Sequence, residues 1–172
     1  FSATGSQVLF DGFDKWGLYT FVGKLRFKFR NASDAFKYVE SSGTVTDGNW
    51  HHVLAVNDQT NLKIYIDGVL SNSNADGSVG IVGVTDVRIG ARWNNSLYTN
   101  GNIDEVAIWN NDQSSNISTI YNSGTPSNLS SLSPLAWWRF EEGSGTTAID
   151  SGTGGNNGTL INGVAYSTDV PT

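Results

Sequence analysis

Cysteine and methionine are absent from the 172 residues, proline occurs three times and histidine twice. Without cysteine there is no disulfide framework, no thiolate metal site and no cysteine nucleophile, so stability rests on the packed core. The two histidines, His51 and His52, are adjacent. Neighbouring strand residues point to opposite faces, so the pair supports neither a multi-histidine zinc site nor a catalytic triad; one packed and one exposed ring is the expectation. Only 10 Lys and Arg stand against 16 Asp and Glu, a net charge of −6. That shortage of cations argues against nucleic acid or an anionic membrane as a general partner. No apolar run approaches the ~20 residues that span a bilayer, so membrane insertion is not expected, and no basic-then-apolar start marks a signal peptide. A chain that starts at Phe1 and holds no methionine reads as a processed product or a fragment of something longer.

What remains is rich in turn formers and rings: 20 Gly, six Trp, eight Phe, and much Asn, Ser and Thr. Such a composition describes short strands joined by tight turns. The pattern is clearest in Leu62-Lys63-Ile64-Tyr65-Ile66, where Leu62, Ile64 and Ile66 alternate with Lys63 and Tyr65. This is the period of a sheet with one dry and one wet face. Asp47-Gly48 and Asp67-Gly68 accept positive φ and close the strands on either side. Leu25, Phe27 and Phe29 are expected to face the core, with Arg26, Lys28 and Arg30 facing away. Val8 to Phe10 and Phe36 to Glu40 add further strands, whereas Ser71 to Gly83 reads as a polar, mobile loop with a weak strand at its end. One short helix is predicted near 114–122, with Ser114 or Ser115 as its cap, Ile117, Ile120 and Tyr121 on its apolar face, and Gly124 at its end.

The segment Asp47-Gly48-Asn49-Trp50-His51-His52-Val53 with Leu62 to Gly68, the strand Gly23 to Arg30, and the pair Val87-Arg88-Ile89-Gly90 and Gly101-Asn102-Ile103-Asp104-Glu105-Val106-Ala107-Ile108-Trp109 together resemble the concanavalin A-like, laminin G-like jelly roll, a set that includes the pentraxins. The likeness covers roughly residues 16 to 121. It implies an all-β fold, a two-sheet antiparallel β-sandwich, and a family that mostly holds binding and adhesion modules.

The order of segments departs from that family. Residues 1–124 read as the jelly-roll body and 125–134 as a linker or strap. Residues 135–172 contain Ala136-Trp137-Trp138-Arg139-Phe140-Glu141-Glu142, expected as a strand with Ala136, Trp138 and Phe140 on one face. This tail looks like the strand pair that normally opens such a domain. Three explanations stand side by side: a circular permutation in which the tail completes its own sandwich, strand addition to a neighbouring copy, or the opening of a further repeat. In all three, Trp138 and Phe140 must be covered, because an open apolar edge aggregates.

Catalytic constellations are weak. Retaining glycosidases hold two carboxylates ~5–5.5 Å apart on one face, whereas Asp104 and Glu105 are adjacent and, on a strand, diverge. Glu141 and Glu142 fail in the same way. A non-enzymatic chain is therefore expected. For ligand binding, Trp93, Asn94, Asn95 and Tyr98 combine rings that stack on sugars with amides that hydrogen-bond hydroxyls. Arg26, Lys28 and Arg30, taken with Lys63 and Tyr65, form a second candidate, a basic face for an acidic glycan or an acidic neighbouring subunit. The family resemblance implies one Ca2+ at a loop rim, for which Asp86, Asn94 and Asp104 are candidates, with Asp11, Asp14 and Asp47 as further options. The reading is a surface module for carbohydrate recognition or adhesion, extracellular or on a cell or virion surface. Its alternative is a structural or decorating subunit that associates with copies of itself through its C-terminal strands.

Overall fold

The computed structural model describes residues 5–78 and 86–172. It divides into two compact units, Phe1–Gly101 and Asn102–Thr172.

The first unit is built on seven strands of five to nine residues, β1 (Ser6–Gly12), β2 (Trp16–Phe21), β3 (Lys24–Arg30), β4 (Phe36–Thr44), β5 (Val53–Asn57), β6 (Leu62–Ile66) and β7 (Val69–Asn74), and a two-residue strand, β8 (Arg88–Ile89). They form a five-stranded antiparallel sheet in the order β4-β3-β2-β1-β8 and a three-stranded sheet in the order β5-β6-β7. Leu25, Phe27 and Phe29 of β3 meet Leu62 and Ile64 of β6, together with Val39 and Val45, in one buried cluster, and Ile66 packs against it. The residues that alternate with these on each sheet therefore face outward on opposite sides of the sandwich. The hairpin turns follow the residue chemistry. Asp67 (φ 50°) and Gly68 (φ 78°) link β6 to β7 with a positive-φ pair whose twist matches the flanking strands.

The stretch Ser71–Asn74 is strand, not mobile loop. β7 lines up against the edge of β4 through side chains: the Asn72 and Asn74 amides donate to the Glu40 and Tyr38 carbonyls (2.8 and 2.7 Å), and the Ser42 N–H donates to the Ser71 hydroxyl (3.0 Å). These polar groups occupy backbone acceptors of an edge strand that would otherwise invite pairing with another chain. The weak strand expected near residue 83 lies outside the described residues. Replacing Asn72 and Asn74 together by Ala is expected to lower stability by about 1–3 kcal/mol and to raise thioflavin-positive aggregation on heating. A double variant with unchanged melting and no aggregation would contradict this role.

The second unit holds β9 (Val106–Ile108), the short helix α1 (Ile117–Tyr121), β10 (Ala136–Trp138), β11 (Thr147–Ala148) and β12 (Gly158–Thr159). β10 pairs antiparallel with β9, with Trp137 opposite Ala107, and β11 pairs with β12. The strand at β10 is shorter than its sequence pattern suggests. Phe140 has left the strand at φ 59°, and Trp137 is buried as deeply as Trp138. Its indole N–H donates to Glu105 Oε2 at 2.7 Å, which is what makes the second face dry as well. The helix is present, but neither serine caps it: the Asp112 carboxylate accepts the Ser114 N–H at 2.7 Å, and Asn122 (φ 43°) and Ser123 (φ 56°) end it before Gly124. Among the described residues no helix is long and apolar enough to cross a membrane.

Candidate functional site at the rim of the first unit

The β1–β2 turn and the segment after β8 meet at one end of the first unit. Arg92 N–H donates to the Ser96 carbonyl and Asn95 N–H to the Arg92 carbonyl, at 3.0 and 2.9 Å, which folds residues 92–96 into a compact turn with Asn95 in the left-handed region. The loop is pinned to β1 by Val8 N–H on the Leu97 carbonyl (3.2 Å) and by the Thr99 hydroxyl on the Val8 carbonyl. Trp93 then stands against Phe13 of the β1–β2 turn, ring centroids 5.6 Å apart and tilted by 54°. Phe13 and Trp93 keep 42% and 36% of their surface exposed, so Trp93 forms an outward aromatic platform with Phe13 rather than a plug in the core, and Tyr98, on the same loop, is 52% exposed.

Phe13 was not among the sequence candidates. Its partner is 80 positions away, and no local pattern signals the pairing. Asn94 and Asn95 lie beside the platform, but each amide oxygen is already engaged, by the Ser96 hydroxyl and by the Arg88 guanidinium respectively.

Asp14 ties the platform to the outer face of the five-stranded sheet. Its carboxylate receives Lys28 Nζ (3.2 Å), Arg30 Nη2 (3.1 Å) and Arg92 Nη2 (3.4 Å). Burial alone would push this carboxyl up, yet the hydrogen bonds from Arg30 and Lys28 outweigh it and hold it below the usual carboxylate range. Arg26 pairs with Glu40 at 2.6 Å and lies over the rings of Phe21 and Tyr38, while Lys28 lies over Tyr19 and Phe36. Beneath them the Tyr19 hydroxyl donates to buried Asp11 at 2.8 Å; burial, then Asp11, raises the phenol far above its ordinary range. An open cleft runs between this face and the rim loop, lined by Tyr19, Phe21, Arg26, Lys28, Arg92 and Leu97.

The basic face proposed from sequence is thus divided. Arg26, Lys28 and Arg30 share the outer side of β3, but Tyr65 and Lys63 lie on β6 and look away from the core on the other sheet. Alternation assigns a side chain to one side of its strand and carries no information on which sheet the strand joins. Two of the three calcium candidates already have partners. Asp86 is ion-paired with Arg88 at 3.0 Å, the Asn94 amide accepts from Ser96, and Asp104 belongs to the second unit. Among the described residues no three His, Cys, Asp or Glu side chains gather.

His51 is a clasp. Its Nδ1 lies 2.8 Å from Asp67 and its Nε2 3.0 Å from Asp47, so neither histidine is the bare exposed ring expected from sequence. Burial lowers the imidazole pKa, but hydrogen bonds to the Asp67 and Asp47 carboxylates outweigh this and raise it above 6.5. The clasp contributes its full stability below the unfolded-state value of about 6.5 and loses it as pH rises through the raised folded value. The wild-type protein is therefore expected to lose melting temperature between pH 6 and 8 relative to His51→Gln, with a smaller difference between the two at pH 8. Parallel pH profiles would contradict the clasp.

Asp104 and Glu105 precede β9 instead of lying on it, and Glu105 sits at φ 50°, so strand alternation does not describe them. What separates them is hydrogen bonding: Glu105 accepts from the Trp137 indole and from Arg139 Nε at 2.7 and 3.2 Å. Burial raises both carboxyls.

Residues 2–117 match the concanavalin A-like lectin/glucanases superfamily model Laminin_G_3, and the chain belongs to that family. No curated protein matches the sequence. Among solved structures, the chain is similar to a Bacteroides ovatus protein proposed to bind carbohydrate, at 17% identity and a TM-score of 0.75, over 96% of this chain and 50% of that one. An S-layer domain-containing protein of Clostridium thermocellum aligns at 21% identity over 62% of this chain and 55% of that one, with a TM-score of 0.39. The chain spans about half the length of these solved proteins.

Proposed function

We propose that this chain is a non-enzymatic, surface-displayed carbohydrate-recognition module whose ligand rests on the platform of Phe13 and Trp93, with the exposed Tyr98 of the same loop as a further contact. The exposed ring pair of Phe13 and Trp93 carries the reading, since it offers adjacent apolar ring faces of the kind that stack on sugars, fixed by a loop with internal hydrogen bonds. Membership of a lectin and glucanase superfamily, and likeness of fold to a protein proposed to bind carbohydrate, support it. A glycan array probed with the wild type and with Trp93→Ala is the test. Specific signal lost in the variant is expected, and binding indifferent to Trp93 would overturn the placement of the site.

The five exposed aliphatic side chains of the tail, Leu135, Ile149, Ile161, Val164 and Val170, favour a second reading in which copies associate through residues 135–172 at an extracellular or virion surface. Light scattering separates the two. A monomer at high micromolar concentration would eliminate this second reading and leave the first untouched.

A further inference from the structure

Six of the ten Lys and Arg of this acidic chain lie on β3, the β1–β2 turn or the rim loop: Lys15, Lys24, Arg26, Lys28, Arg30 and Arg92. Three of them, Arg26, Lys28 and Arg92, line the cleft between the sheet face and the rim loop, and among the described residues no carboxylate does. Their acidic partners, Glu40 and Asp14, lie outside that lining, and Asp14 alone serves three cations.

Arg92 is the least satisfied of them. Its single ion pair is long, 3.4 Å, to an oxygen that already receives Lys28 at 3.2 Å, and its Nε is buried without a hydrogen-bond partner among the described residues. A guanidinium presents a planar fork of donors that matches a carboxylate in two parallel hydrogen bonds, and it keeps its charge at any physiological pH. With Nη2 on Asp14 and Nε buried, Nη1 and the outer edge of the guanidinium are what Arg92 offers a ligand, and Trp93 follows it directly in sequence.

Resting on the carbohydrate reading above, we infer that the ligand is an anionic saccharide of the uronate class, whose carboxylate pairs with Arg92 at the mouth of the cleft while its ring lies on the Phe13 and Trp93 platform. Lys28 supplies a second, less directional attraction, and Arg26, held by Glu40, borders the next sugar position. Charge pairing of this kind weakens with added salt, whereas stacking does not.

The test uses the full chain with polygalacturonate, its fully methyl-esterified form, and dextran sulfate, by isothermal titration at about 50 and about 300 mM salt. Polygalacturonate is expected to bind at least about tenfold more tightly than the ester, with the preference shrinking at the higher salt. Arg92→Gln should remove most of that preference, and Lys28→Gln should reduce it less; the second variant also guards against misfolding of the first, which circular dichroism checks.

Equal binding of acid and ester overturns the inference and leaves the carbohydrate reading standing. Dextran sulfate binding as tightly as polygalacturonate would overturn the uronate assignment in favour of unselective anion attraction. If neither galacturonan binds while a neutral glycan on the array does, the inference falls alone. If no glycan binds, both readings fall together.

Discussion

Asp150→Ala is expected to cost about 3 kcal/mol or more and to collapse the second unit. The Asp150 carboxylate is buried and accepts three backbone N–H groups: Trp137 at 2.8 Å and Gly152 at 2.7 Å through Oδ1, and Asn156 at 2.7 Å through Oδ2. Asp150 itself bridges to Trp138, whose indole N–H donates to the Asn156 carbonyl at 2.9 Å. One side chain thus fixes both the loop of residues 150–158 and the strand bearing the two tryptophans. Truncation leaves the buried Trp137 N–H without an acceptor, at about 1–3 kcal/mol, and strips two part-buried donors of theirs at a smaller cost each. Asp150→Asn is the control for shape, since it keeps the volume and one acceptor oxygen. Burial pushes this carboxyl up, but the backbone donors outweigh it and hold it below 3.8. Its contribution is therefore fully present above pH 3.8 and is lost as pH falls through the depressed folded value. Denaturant melts followed by tryptophan fluorescence check the expectation. A wild-type-like midpoint in Asp150→Ala would show that the three contacts are incidental.

Combining Phe13→Ala with Trp93→Ala is expected to lower glycan affinity by more than about a hundredfold while leaving the melting temperature within a few degrees. Each exposed ring contributes about 0.5–1.5 kcal/mol of stacking beyond simple area, and the apolar surface the pair buries against the sugar adds the rest. The folded protein is affected little, because both rings stay substantially exposed and lie outside the buried cluster centred on Leu25, Phe27 and Ile64. Phe10 and Trp16, stacked at 4.9 Å, are the contrasting pair. The Trp16 ring sits so close over Gly12 that a Cβ there would lie 2.5 Å from it, so Trp16→Ala should damage folding and binding together. Loss of affinity in the double variant accompanied by unfolding would remove the distinction on which this prediction depends.

The sandwich was legible wherever apolar and polar residues alternate. β3 and β6 obey the pattern, with Leu25, Phe27, Phe29, Leu62 and Ile64 all buried, and Asp67-Gly68 forms the expected turn. β7 was not legible, because its residues are held by amides and hydroxyls donating across to β4, and such polar pairing leaves the composition of a loop. Trp137 escaped for a related reason: Glu105, 32 residues away, accepts its indole proton and lets it be buried. Half of the candidate site was visible as the aromatic and amide content of residues 93–98. The other half required long-range geometry. Phe13 and Asp14 reach Trp93 and Arg92 through the way β1 and β8 lie side by side, a pairing of Phe10 with Ile89 that local sequence does not encode.

Chemical-shift mapping of the 15N-labelled chain during titration with the glycan selected on the array, including side-chain indole and guanidinium signals, tests the central claim most directly. The account predicts saturable shifts at Phe13, Arg92, the Trp93 indole and Tyr98, with the Trp137 and Trp138 indoles unmoved. Shifts confined to residues 102–172, or a glycan consumed during the titration, would contradict it.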